Sequence, residues 1–128
     1  MSEAAVVIGA TGGIGRAVAD RLEASGRHAV VHRLSRATGL DLEREQTIAA
    51  AAAEIAHGPA PALIFVATGV LHEGFQPERA YRALDPEHLL RDYRINTVGP
   101  ALIAKHLLPL LPRDRRSVFA ALSARVGS

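Results

Sequence analysis

The chain has 128 residues, 48% of them apolar and 22% charged, which suits one globular domain with a single core and excludes a multidomain protein. The absence of cysteine excludes disulfide scaffolds, cysteine zinc sites and thiol catalysis. The formal charge of +2 comes from arginines scattered along the chain, and aromatics are only 4%, so there is no basic, aromatic-bearing stripe of the kind that grips nucleic acid. In chain order, Ala4-Ala5-Val6-Val7-Ile8 is continuously apolar, as a strand buried on both faces is. After a glycine-rich turn, Ile14, Ala17, Val18 and Leu22 recur at helical spacing opposite Arg16, Asp20, Arg21 and Glu23, and Gly26 supplies a left-handed stop. The next strand spans roughly His28 to Leu34. A short extended piece follows at Leu40-Asp41-Leu42, then an alanine-rich helix from about Glu43 to His57, ended by Gly58 and Pro59. Ala62 to Ala67 reads as a central strand, and Thr68 to Leu84 as loop with a helical turn. The longest helix opens at Asp85-Pro86, an N-cap with proline at the first helical position, and runs to about Leu111. Ser117 to Leu122 is the last strand. Strands alternating with helices predict an α/β fold, a parallel sheet of about five strands covered by helices.

The turn Gly9-Ala10-Thr11-Gly12-Gly13-Ile14-Gly15 lies between the first strand and the first helix, where a dinucleotide-binding Rossmann-type doubly wound sheet needs its glycines. Gly9 allows a sharp exit from the strand, Gly13 lets a pyrophosphate approach the backbone, and Gly15 lets helix and strand pack closely. With Thr11, Gly12 and Ile14 these residues form a candidate phosphate site at the positive end of the helix. The other reading of the same glycines is a turn that merely packs well. Residues 1–128 are thus expected to form one NAD(P)-binding domain.

Cofactor choice is read about 20 residues beyond the glycines, where an acidic residue would bind an NAD ribose. The segment there is His32-Arg33-Leu34-Ser35-Arg36, with no acid, and a guanidinium can pair with the 2′-phosphate of NADP. Arg36, following Ser35, is the first candidate and Arg33 the second, so NADP(H) is expected over NAD(H). Asp41, with Leu42, either contacts the adenine or is an ordinary carboxylate at a helix start.

With the glycine turn, Ser35-Arg36, Asp41-Leu42, Ala67-Thr68-Gly69 and Asn96-Thr97-Val98-Gly99-Pro100 in this order, the chain resembles the short-chain dehydrogenase/reductase family over essentially its whole length. The family turn Thr-Gly-x-x-x-Gly-x-Gly is matched at Gly9, Gly13 and Gly15, with Ile8 in place of threonine. A Gly-x-x-Gly-x-x-Gly reading through Gly9, Gly12 and Gly15, as in the extended epimerase-like relatives, is also satisfied. The family's Asn-Asn-Ala-Gly appears as Val66-Ala67-Thr68-Gly69, so Ala67, Thr68 and Gly69 stand at a cofactor contact of which only the glycine is retained. The resemblance implies hydride transfer between a nicotinamide cofactor and a small carbonyl or alcohol substrate.

In the long helix, Leu89, Tyr93, Asn96, Pro100, Ile103 and Leu107 form one stripe at helical spacing, which predicts Asn96 on the core side. Pro100 has no N–H to give the Asn96 carbonyl, which leaves that carbonyl for a water. The resemblance assigns such an asparagine to the proton relay. It also implies a serine after the last strand; Ser123 fits by position, with Ser128 as the fallback. The Tyr-x-x-x-Lys pair of the family does not occur: Lys105 is the only lysine and Ala101 stands four residues before it. A tyrosine with a reference pKa of about 10 needs a neighbouring cation to donate its proton at neutral pH. The chain is therefore expected to be the N-terminal, cofactor-binding part of a reductase, inactive alone, or else a module that senses NAD(P) without turning it over. The six histidines are scattered and predict no metal site. No apolar run approaches the roughly 20 residues that cross a bilayer, and Met1-Ser2-Glu3 does not open a signal peptide, so a cytoplasmic location and no membrane association are expected. An exposed edge along Ser117 to Leu122 and the apolar face of the long helix predict a homo-oligomer.

Overall fold

The apolar run Ala4–Ile8 forms strand β1, and all five of its residues are buried. In the computed structural model, which describes residues 3–68 and 85–122, β1 pairs in parallel with β2 (Val30–Leu34) on one side and β3 (Pro61–Val66) on the other. Strand β4 (Val118–Ala121) pairs in parallel with β3, giving the order β2-β1-β3-β4. Helix α1 (Gly13–Ser25) joins β1 to β2 and ends at Gly26, whose φ of 66° lets its N–H reach the Glu23 carbonyl as the sequence predicts. Helix α2 (Glu45–Ala56) crosses to β3. Before β4 come α3 (Pro86–Tyr93), a π-helical turn (Arg94–Val98), α4 (Gly99–Leu107) and a 3₁₀ turn (Leu108–Leu110).

Alternation along β1 divides the core between two layers, the arrangement of a doubly wound sheet. Val6 and Ile8 face Ile48 and Ile55 of α2 and Ile103 and Leu107 of α4. Val7 faces Ala19 of α1, with Val18 and Leu22 partly buried beside it. Glu45, in the first turn of α2, binds Lys105 Nζ at 2.6 Å and His106 Nε2 at 2.8 Å and so ties the start of α2 to the end of α4. The Lys105 contact first, and His106 second, lower the Glu45 pKa.

Four expectations are corrected. Among the described residues the sheet has four strands, not about five, because Leu40-Asp41-Leu42 pairs with no strand and runs into a turn at Leu42-Glu43: the Asp41 carboxylate accepts the Glu43 N–H at 3.0 Å, and the Asp41 N–H donates to Thr47 Oγ1 at 2.9 Å. On α1, Ile14 is 57% exposed and Ala17 is also exposed, while Gly15 and Ala19 are the buried residues. The long helix is interrupted by a π turn, in which the Gly99 N–H bonds five residues back to Arg94. That wider turn shifts the inward stripe by one residue, to Ile95, Gly99, Ile103 and Leu107, leaving Asn96 and Tyr93 exposed. The segment 69–84 and residues 123–128 lie outside the described residues.

Candidate functional site

The turn after β1 is built by close backbone approach. Gly9 has φ of 86°, and a Cβ there would lie 3.0 Å from Thr68 Cγ2 and 3.1 Å from the Ala67 carbonyl carbon. Its N–H donates to the Leu34 carbonyl at 2.8 Å, holding the turn against the end of β2. The first intrahelical bond of α1 runs from the Arg16 N–H to the Gly12 carbonyl, which leaves the N–H groups of Gly13, Ile14 and Gly15 without an intrahelical acceptor. Among the described residues no side chain caps this end, and its first turn holds no acid. The positive end of the helix is thus left for an outside anion.

Beside the turn lies a cleft of about 280 Å³. It brings together Gly9, Thr11 and Gly12 from the turn, Ser35 and Arg36 from the end of β2, Asp41 and Leu42, and Ala67 and Thr68 after β3. These come from four separate stretches of sequence, and the parallel strands deliver them to one place because all end at the same edge of the sheet. Arg36 opens the 3₁₀ segment Arg36–Thr38 and is exposed; its carbonyl accepts the Gly39 N–H, and its guanidinium makes no hydrogen bond or ion pair among the described residues. Asp41 both borders the cleft and caps the Glu43 N–H, so its two sequence readings coexist.

Four candidates stand elsewhere. Arg33 shares the face of Val7, its partner in the β1–β2 register, and so points to α1. There its guanidinium binds Asp20 Oδ1 at 2.7 Å and the Glu23 carboxylate. Glu23 first, then Asp20, raise its pKa. Gly13 and Ile14 border a shallow apolar groove along α1, with Ala17, Val18 and Leu22, instead of the cleft. Gly15 is the point where α1 touches the turn: a Cβ on it would stand 2.0 Å from the Gly9 carbonyl oxygen. Gly69 lies outside the described residues. The cleft also contains residues that sequence reasoning missed, Leu40, Glu43, Arg91 and Ile95. Spacing gave one signal, since Arg91 and Ile95 are four apart and share a helix face.

Two observations fit a dinucleotide in this cleft. The Thr68 hydroxyl is buried in its wall with no hydrogen-bond partner among the described residues, a costly state unless a ligand group completes it. Among the described residues a Cβ on Gly12 would meet only the Gly9 oxygen, at 3.6 Å, so the cleft side of the turn is left open.

The chain's architecture recurs among solved structures. A small-chain dehydrogenase matches with a TM-score of 0.72 at 26% identity, over 88% of this chain and 50% of that one. The fold is that of a short-chain dehydrogenase. A second small-chain dehydrogenase, solved in complex with NADPH, matches at 0.72 and 24% identity, over 94% of this chain and 50% of that one. A Burkholderia multivorans short-chain dehydrogenase/reductase with bound NADP matches at 0.75 and 18% identity, over 97% and 59%. This chain therefore spans about half the length of these short-chain dehydrogenases. No protein-family model matches the sequence, and no curated protein matches it.

Within the short-chain dehydrogenase fold, Asn96 sits in the π turn. Pro100 explains the irregularity: it can donate neither to Asn96 in the α register nor to Ile95 in the π register. Ser123 and Ser128 lie outside the described residues, and Lys105 is paired with Glu45 on the outer side of α4.

Proposed function

We propose that this chain is the cofactor-binding part of an NADP(H)-preferring oxidoreductase of the short-chain type, acting on a small carbonyl or alcohol in the cytoplasm. The observation that carries the reading is the cleft, whose lining brings together the open glycine turn, Arg36, whose guanidinium has no partner among the described residues, and Thr68, whose hydroxyl is buried there without one. Two of the similar structures hold NADPH or NADP, which supports the cofactor class. Bound there, the cofactor would supply hydride. The backbone N–H groups at the start of α1 would hold its pyrophosphate, Arg36 the 2′-phosphate and Thr68 a polar group beyond the turn. Asn96, through the π turn that presents it, would position a water for proton transfer, with Ser123 polarising the carbonyl. The acid itself would come from outside these 128 residues, which contain no Tyr-x-x-x-Lys.

Titration of the chain with NADPH and NADH tests the reading. Arg36→Ala removes a charge-assisted contact of roughly 1.5–3 kcal/mol, so NADPH affinity is expected to fall about 10- to 150-fold while NADH changes little. Equal affinity for both cofactors in the parent would refute the preference. The missing Tyr-x-x-x-Lys favours a second reading, an NAD(P)-binding module without turnover.

Self-association belongs to the same proposal. Among the described residues β2 and β4 are the sheet edges, and Leu89, Leu90 and Tyr93 are exposed on α3. Light scattering is expected to give a mass above that of the monomer, and a clean monomer would remove this part.

A further inference from the structure

The cleft has a wall that the glycine turn and the end of β2 do not supply. Arg91 and Ile95 project into it from α3 and the π turn, and facing them are Leu40, Leu42 and Glu43. The two walls touch at their base. Gly99 packs so closely on Leu42 that an added Cβ would stand 3.0 Å from Leu42 Cδ1 and 3.1 Å from its Cβ. The space between the walls is thus a slot of set width, apolar at Leu40, Leu42 and Ile95 and spanned at its rim by an ion pair. Arg91 Nε lies 3.7 Å from Glu43 Oε1, a separation for charge attraction and beyond a normal hydrogen bond. Both side chains are partly buried, at 29% and 32% exposure.

We propose that Arg91, steered by Glu43, is a cofactor-binding residue that lays its guanidinium plane over the adenine ring of the cofactor. The inference rests on the dinucleotide reading above. With the pyrophosphate on the glycine turn and the 2′-phosphate on Arg36, the Leu42–Ile95 slot is the part of the cleft, among the described residues, that those two contacts leave for the base carried by the same ribose. A slot with apolar walls suits a planar heterocycle, and a guanidinium stacks on such a ring, as an ammonium, having no plane, does not. Glu43 decides between this role and a second phosphate contact. A carboxylate beside the guanidinium already balances its charge and repels another anion, whereas a neutral ring meets no such penalty.

The test is calorimetric titration of the full chain with NADPH, NADH and AMP, for the parent and for Arg91→Leu, Arg91→Lys and Glu43→Gln. Arg91→Leu is expected to weaken all three ligands by roughly three- to thirtyfold and to leave the NADPH-to-NADH ratio unchanged. Arg91→Lys should fail to restore the affinity, and Glu43→Gln should give a smaller loss in the same direction. Circular dichroism of each variant is expected to match the parent, since neither side chain is in the core. Loss confined to NADPH, no loss with any ligand, or full recovery in Arg91→Lys would each overturn the proposal. A parent that binds none of the three would instead overturn the dinucleotide reading and this inference with it, so the two failures are told apart.

Discussion

Replacing Gly15 by alanine is expected to destabilise the chain by about 3 kcal/mol, the upper part of the range for overpacking a tight contact. Helix propensity alone argues the other way, because alanine inside a helix is better than glycine by about 1 kcal/mol. The geometry decides the sign. The new Cβ would lie 2.0 Å from the Gly9 carbonyl oxygen and 2.8 Å from the Gly9 carbonyl carbon, both backbone atoms that no side-chain rotation can move aside. Relief requires α1 to retreat from the turn by about 1 Å, the gap between that 2.0 Å and the 3.0 Å below which real Cβ contacts essentially never fall. Retreat would loosen Ala19 and Val18 from Val7, the small core on this face of the sheet. A thermal melt should show the midpoint lowered by roughly 10 °C. A midpoint within a degree or two of the parent would mean that α1 does not pack on the turn as described.

The parts of this fold that were legible in the sequence are those fixed by local chemistry. The buried β1, the glycine turn and the Gly26 stop each follow from a few neighbouring residues, and all three stand where they were expected. What was not legible depends on registers that only the folded chain sets. Arg33 and Arg36 look alike as basic residues near the end of a strand. Pairing with Val7 turns Arg33 toward α1, while Arg36, past the end of the ladder, reaches the cleft. Pro100 announced an irregular helix, yet it could not say that the irregularity would be a π turn, and so could not show that Ile95 would replace Asn96 on the inner stripe. Leu40-Asp41-Leu42 alternates like a strand, but its polar member spends its hydrogen bonds on Glu43 and Thr47 and closes a turn instead. Arg91 and Glu43 come from distant segments, and the fold, with Leu42 packed on Gly99, sets them side by side.

Gly12→Asp is expected to move stability and nucleotide binding in opposite directions. Gly12 is the N-cap of α1, with extended φ and ψ of −79° and 169°, a conformation open to any residue. Aspartate is among the best N-caps, and its charge suits the positive end of the helix, so the fold should gain up to about 1 kcal/mol. The clash that governs Gly15 is absent here, since the Cβ would meet the Gly9 oxygen at an ordinary 3.6 Å. For the ligand the same carboxylate is an obstacle. It would occupy the N–H groups that the proposed pyrophosphate needs, and two unit charges about 4 Å apart repel by about 4 kcal/mol at an effective dielectric constant of 20. That is roughly a thousandfold in affinity, and it applies to NADPH and NADH alike because both carry the pyrophosphate. The paired measurement is a thermal melt of the free protein with calorimetric titration of each cofactor. A melting point at or above the parent value together with lost binding places the phosphates on this turn. Retained binding in a stabilised variant would show that the glycines serve only the close packing of α1 on β1, and the Arg36 and Arg91 assignments would lose the anchor from which both are measured.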